Sequence, residues 1–142
     1  MQEKNSGKDT VLATFNIEGE FYGKNCFPGL NDLLHEAERH PMAYNRMKKQ
    51  MQNIVILSFR KALGGFRTDK RVRFDIVWGE KIKGPKRDYD NIVSAGRKII
   101  NDALVKAQVI EDDSPTYLGY GLNKFMYVEE PFITVKIVID EV

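Results

Sequence analysis

A single cysteine, Cys26, among 142 residues excludes an intrachain disulfide and a thiolate zinc cage. Long apolar runs are missing too: none approaches the roughly 20 residues needed to span a bilayer, so no membrane partner is expected. The opening MQEKNSGKDT lacks the apolar centre of a signal peptide. From these absences a reducing, cytoplasmic setting is expected. Net charge of one sign is also scarce, at +2, so overall balance does not announce a nucleic-acid partner.

What is present is the composition of a globular chain, 42% apolar and 30% charged. The length suits one domain, covering 11–142 after a polar tail, 1–10. Charge is unevenly placed. Between Arg60 and Arg87 stand Arg60, Lys61, Arg67, Lys70, Arg71, Arg73, Lys81, Lys83, Lys86 and Arg87, against only Asp69, Asp75 and Glu80. Such a local excess suits phosphate contacts as well as a solvated charged face.

The segment VLATFNIEGEFYG alternates and predicts a strand ending at Gly19 or beyond. NCFPGL breaks regular structure, and Asn31 is placed to cap a short helix over DLLHEAERH, with Pro41 at a helix boundary. A long helix is expected from Tyr44 to Leu63, burying Met47, Met51, Ile54, Val55, Ser58 and Ala62 and ending at Gly64-Gly65. RVRFDIVWGE alternates as a strand, with Val72, Phe74, Ile76 and Trp78 on one side and Arg71, Arg73, Asp75 and Val77 on the other. Another helix follows Asn91, with an apolar stripe of Ile92, Gly96, Ile99, Ile100, Ala103, Leu104 and Ala107. Strands are expected near Tyr117–Tyr120 and over Phe132–Ile139, the latter serving as core or as interface. The order β-α-α-β-α-β-β predicts an α/β (α+β) fold with helices packed on a small mixed sheet.

KIKGPKRDYDNI, residues 81–92, carries the chemistry. Four cations, Lys81, Lys83, Lys86 and Arg87, run straight into Asp88 and Asp90. In extended backbone residues i and i+2 point the same way, so both carboxylates can face one point. Their repulsion calls for a cation, either Lys86 and Arg87 or a divalent metal, and hard oxygen ligands favour Mg²⁺ or Mn²⁺. The plainer alternative makes Asp90 a helix N-cap. A second acidic pair, Asp112-Asp113, follows the helix; Asp113 approaches the first pair only if the chain then doubles back.

Other patterns carry less. His35 and His40 are five apart and share no helix face, so HEAERH is not a zincin motif. DYDNIV fails as an EF-hand loop, because Ile92 takes a ligand position and no glycine follows. Ser94 and Ser114 have no identifiable histidine base. Gly119-Tyr120-Gly121 is neither a P-loop nor a dinucleotide fingerprint, and no nucleotide cofactor is expected.

KRDYDN followed by RKIINDALVKAQVIEDD resembles the RusA family of Holliday-junction resolvases, especially its phage and prophage branch. The likeness covers Lys86 to Asp113, and more loosely FPGLNDLLHEAERHPMAYNRMKKQ and RFDIVW. It implies a homodimeric, Mg²⁺-dependent endonuclease making paired nicks in four-way DNA, in recombination and repair. Carried across, the metal-binding and catalytic carboxylates are Asp88, Asp90 and Asp113, with Asp112 as a further acid. In shorter members the family lysine stands four positions after the second aspartate, where this chain has Ser94. Aligning back from DALVKA instead selects Lys98, after a four-residue insertion of about one helical turn. The plain alternative for Lys98 is a surface pair with Asp102.

In this reading Lys81, Lys83, Lys86 and Arg87 hold phosphates beside the acids, with Arg71 and Arg73 adding to the DNA surface. Phe66 and Phe125 serve either as junction wedges or as core. Competing readings are a catalytically silent DNA-binding module, a flap or fork nuclease on the same scaffold, and another Mg²⁺ enzyme acting on nucleotides, for which no recognition loop is evident.

Overall fold

The chain alternates between the two periodicities that its sequence carries, and the elements follow in the expected order. A computed structural model describes residues 9–18 and 28–141. The first eight tail residues, Cys26 and any continuation of the first strand past Glu18 lie outside them. Strand β1 (Val11–Asn16), helices α1 (Leu30–Arg39) and α2 (Pro41–Leu63), strand β2 (Val72–Lys81), helix α3 (Tyr89–Lys106) and strands β3 (Asn123–Val128) and β4 (Phe132–Ile139) make up the fold. The sheet order is β1-β4-β2-β3. β4 pairs antiparallel with β1 and β2, whereas β3 runs parallel to β2.

Alternation places Val72, Phe74, Ile76 and Trp78 of β2 in the core. Register sets Phe15, Val135 and Ile76 side by side on that same face. Helices cover it: Phe15 meets Phe59 of α2 edge to face at 5.5 Å, and Trp78 lies against Gly96 of α3. Neighbouring positions Thr14, Lys136 and Asp75 line up on the opposite face, so the polar half of the pattern points away from the helices.

Boundaries differ from the expectations where local hydrogen bonds compete. Gly29, not Asn31, caps α1; the Asn31 side chain is not needed there, because Asp32 accepts from Gly29 N–H at 2.8 Å. α2 begins at Pro41, a residue suited to a first helical position, with His40 Nδ1 accepting Met42 N–H at 3.0 Å. Phe59 rather than Ala62 completes its buried stripe, and Ala62 is exposed. In α3 the expected stripe is buried from Ile92 to Leu104, while Ala107 lies past the helix end.

The strand expected at Tyr117–Tyr120 is a turn with one bridge, Val72 to Leu118. The strand lies further on, at β3. Asp75 accepts Leu122 N–H at 2.9 Å, and Arg97 donates to the carbonyls of Phe74 and Leu122 and to Asn123 Oδ1. These long-range polar ties set where parallel pairing begins. β4 sits inside the sheet with Ile133, Val135 and Ile137 buried, so of its two expected roles it fills the core.

Candidate functional site

Asp88 is the N-cap of α3, in extended backbone (φ −65°, ψ 139°), and its side chain makes no capping hydrogen bond. Asp90 follows in the first helical turn. The helix boundary therefore falls between them, and the cap is Asp88 rather than Asp90. The two acids are not the i, i+2 pair of a strand, yet they line one open depression of about 620 Å³ with Leu30, Asn31, Tyr89, Asn91 and Ser94. Both carboxylates are without an ion pair among the described residues.

Two neighbours fix this rim. Asn91 Oδ1 accepts Asn31 N–H at 2.8 Å, joining the starts of α1 and α3. Ser94 Oγ donates to the carbonyl of Asp90 at 2.6 Å, so at the spacing of the family lysine the chain has a self-bonded hydroxyl. Asn91 was legible in DYDN only as a letter; its role emerges from a contact across sixty residues of sequence.

Asp113 lies elsewhere. Lys98 Nζ is 3.0 Å from Asp102 Oδ1 and 3.8 Å from Asp113 Oδ2. Hence the chain does double back after α3, as far as Lys98, which is eight residues or about 12 Å of helix from Asp90. The Lys98–Asp102 pair is formed. Hydrogen bonding to Asp102 chiefly, with Asp113 adding, raises the Lys98 pKa above its ordinary value. Asp112 is occupied as a turn residue: its Oδ1 accepts Ser114 N–H at 2.7 Å, and the Ser114 side chain chiefly, with that N–H adding, lowers its pKa. Among the described residues no three His, Cys, Asp or Glu side chains gather as a metal-holding group.

Asp88 and Asp90 nevertheless suit a hard divalent ion. Mg²⁺ takes one or two carboxylates and completes its shell with waters and substrate phosphates, and two unpaired carboxylates on an open depression meet that need.

The basic residues divide into two kinds. Lys81 and Lys83 are exposed, make no ion pair among the described residues, and line a depression with Glu80, Gly84, Pro85, Lys86, Arg87 and Tyr127. Lys86 closes the loop by donating to the Gly84 carbonyl at 3.3 Å and to that of Ile82, with its ammonium 5.3 Å from the Tyr127 ring centre. Arg87 grips buried Glu80 in a two-pronged bond of 2.9 and 2.8 Å, and lies 3.9 Å from Asp32.

Arg73 sits at the far end of β2 and Arg71 just before it, about 26 and about 33 Å of extended chain from Lys81. Arg71 pairs with Asp140 and holds the Pro115 carbonyl at 2.8 Å. Arg73 meets Asp75 and Asp9, both at 3.0 Å, and the Asp75 hydrogen bond raises its pKa against the effect of burial. Both arginines are thus engaged by acids. Phe125 is stacked between Trp78 and Tyr89, and Phe66 packs on the core, which favours the core reading for both.

No protein-family model and no curated protein matches the chain. Among the described residues no helix is long and apolar enough to cross a membrane.

Proposed function

We propose that this protein is a Mg²⁺-dependent, structure-specific endodeoxyribonuclease of the RusA type, nicking four-way DNA junctions in pairs as a homodimer in a bacterial or phage-infected cytoplasm. One observation carries the reading: two unpaired carboxylates share an open depression at the start of α3, next to a loop that exposes Lys81 and Lys83. Cations there draw in the phosphodiester backbone, and acids there hold a metal.

Asp88 and Asp90 would hold Mg²⁺, with Mn²⁺ as a substitute. Bound there, the metal supplies polarisation of the scissile phosphodiester and a water of lowered pKa. Lys81 and Lys83 hold flanking phosphates and set the strand's position. Lys98, kept protonated by its two aspartates, serves as a fixed positive charge and not as a base. Its hold on Asp113 sets where the third acid of the resemblance stands. Two-fold symmetry suits a substrate whose opposed strands are cut in pairs.

A catalytically silent junction-binding module is the second reading, favoured by one fact: Asp113 stands with Lys98 and Asp102 and not with Asp88 and Asp90. Labelled four-way junction, replication fork, flap and linear duplex, each incubated with Mg²⁺ or EDTA, separate the cases. Symmetric Mg²⁺-dependent nicks confined to the four-way junction support the resolvase. Preferential cutting of fork or flap reassigns the substrate, and binding without cutting in Mg²⁺ or Mn²⁺ selects the silent module.

A further inference from the structure

Three aromatic rings form a ladder that leads from the core to the carboxylates. Trp78, 1% exposed, packs on Gly96 and is the inner rung. Phe125 stacks on it with centroids 6.5 Å apart and planes 18° apart. Tyr89 stacks on Phe125 at 4.2 Å and 23°. Tyr89 is the outermost of the three and is 54% exposed, although it is a large aromatic with a nearby core to enter. It stands between Asp88 and Asp90 in sequence and lines the depression they line.

The outer rung is backed directly by the Phe125 ring. This backing fixes the ring plane before any ligand arrives, which lowers the ordering cost of binding. A flat, apolar, π-bearing ligand continues such a ladder. Beside phosphate-binding lysines, the group that combines a flat ring with a phosphate is a nucleotide.

We propose that Tyr89 is a stacking subsite for a nucleobase displaced from its helical stack, holding that base beside Asp88 and Asp90. The inference rests on the nucleic-acid reading above, but it does not depend on cleavage. Such a subsite selects DNA with unstacked bases, because a duplex must first give up stacking to fill it. Any base serves, since every base offers a π face.

The test uses the full chain in EDTA, with a single-stranded oligodeoxynucleotide carrying one 2-aminopurine and its counterpart carrying an abasic site there. Wild type and Tyr89→Phe are expected to quench 2-aminopurine fluorescence and bind alike. Tyr89→Leu, which keeps an apolar group against Phe125, is expected to lose the quench and bind roughly tenfold more weakly, in line with the worth of one base–aromatic stack. On the abasic strand wild type and Tyr89→Leu should bind equally. Equal quenching by wild type and Tyr89→Leu, or no quenching by wild type, overturns the subsite. Absent Mg²⁺-dependent cutting with quenching intact would sink the nuclease reading and leave the subsite standing.

Discussion

Asn91 and Asn31 join the starts of two helices: the side-chain oxygen of one accepts the backbone N–H of the other at 2.8 Å. The same Asn91 amide lies over Gly29, where an added Cβ would stand 2.6 Å from its nitrogen. The rim of the acidic depression is thus a joint between α1 and α3, and its shape depends on a residue that need not touch the reacting atoms.

Asn91→Ala is expected to lose about 1 kcal/mol of stability, the net worth of one hydrogen bond. Asn91→Asp keeps an acceptor and should recover most of it. Denaturant unfolding of the three proteins checks the order, and equal midpoints for wild type and the alanine variant count against the joint.

Arg87 and Glu80 give the sharpest separation of structure from DNA binding. Glu80 is buried, and both prongs of Arg87 are spent on it. Removing Arg87 leaves a buried carboxylate with its main partner gone, so Arg87→Ala should cost about 3 kcal/mol. Lys81→Ala and Lys83→Ala should leave stability unchanged and instead reduce the salt dependence of DNA binding. Thermal melts together with binding at several salt concentrations distinguish the two kinds of cation. A melting temperature unmoved in Arg87→Ala contradicts this assignment.

Gly96 faces the Trp78 ring, and a Cβ at that position would stand 2.6 Å from the indole. Alanine would gain about 1 kcal/mol in helix propensity. Overpacking against a ring fixed in the core costs about 1–3 kcal/mol. The second effect wins: Gly96→Ala should be destabilised, and near-ultraviolet circular dichroism should register the displaced indole. A stabilised variant with an unchanged indole signal refutes this packing.

Lys98 is expected to titrate above its ordinary value of 10.5, because Asp102 and, less strongly, Asp113 favour its charge. A raised folded pKa means that the stability from these pairs is complete below the unfolded lysine pKa and is lost as pH rises through the folded one. Lys98 therefore stays charged across neutral pH. Asp102→Asn should bring its titration down towards the ordinary value, read from the side-chain Cε resonance. An unshifted resonance denies Asp102 that role.

The sequence made most of the layers legible because periodicity reports burial directly. Val72, Phe74, Ile76 and Trp78 alternate on the page and in the core alike, and the α3 stripe from Ile92 to Leu104 is equally plain. Strand β3 was hidden because Asp75 and Arg97, distant in sequence, decide where pairing starts. Composition likewise shows a run of cations at 81–87 but not which of them are already spent. Lys86 folds onto its own loop and Arg87 onto Glu80, facts of partnership that no local pattern encodes. For the acids, DxD spacing located the depression, whereas the return of the chain after α3 was open in sequence and reaches only as far as Lys98.

The central claim is that the carboxylates at the start of α3 serve phosphodiester hydrolysis. Its most direct test is the cleavage rate of a labelled four-way junction in Mg²⁺ by wild type and Asp90→Asn, at protein concentrations that saturate binding in EDTA. Asp90→Asn is expected to fall to the level seen in EDTA while binding is retained. Undiminished cleavage by Asp90→Asn would contradict it and move the chemistry away from α3.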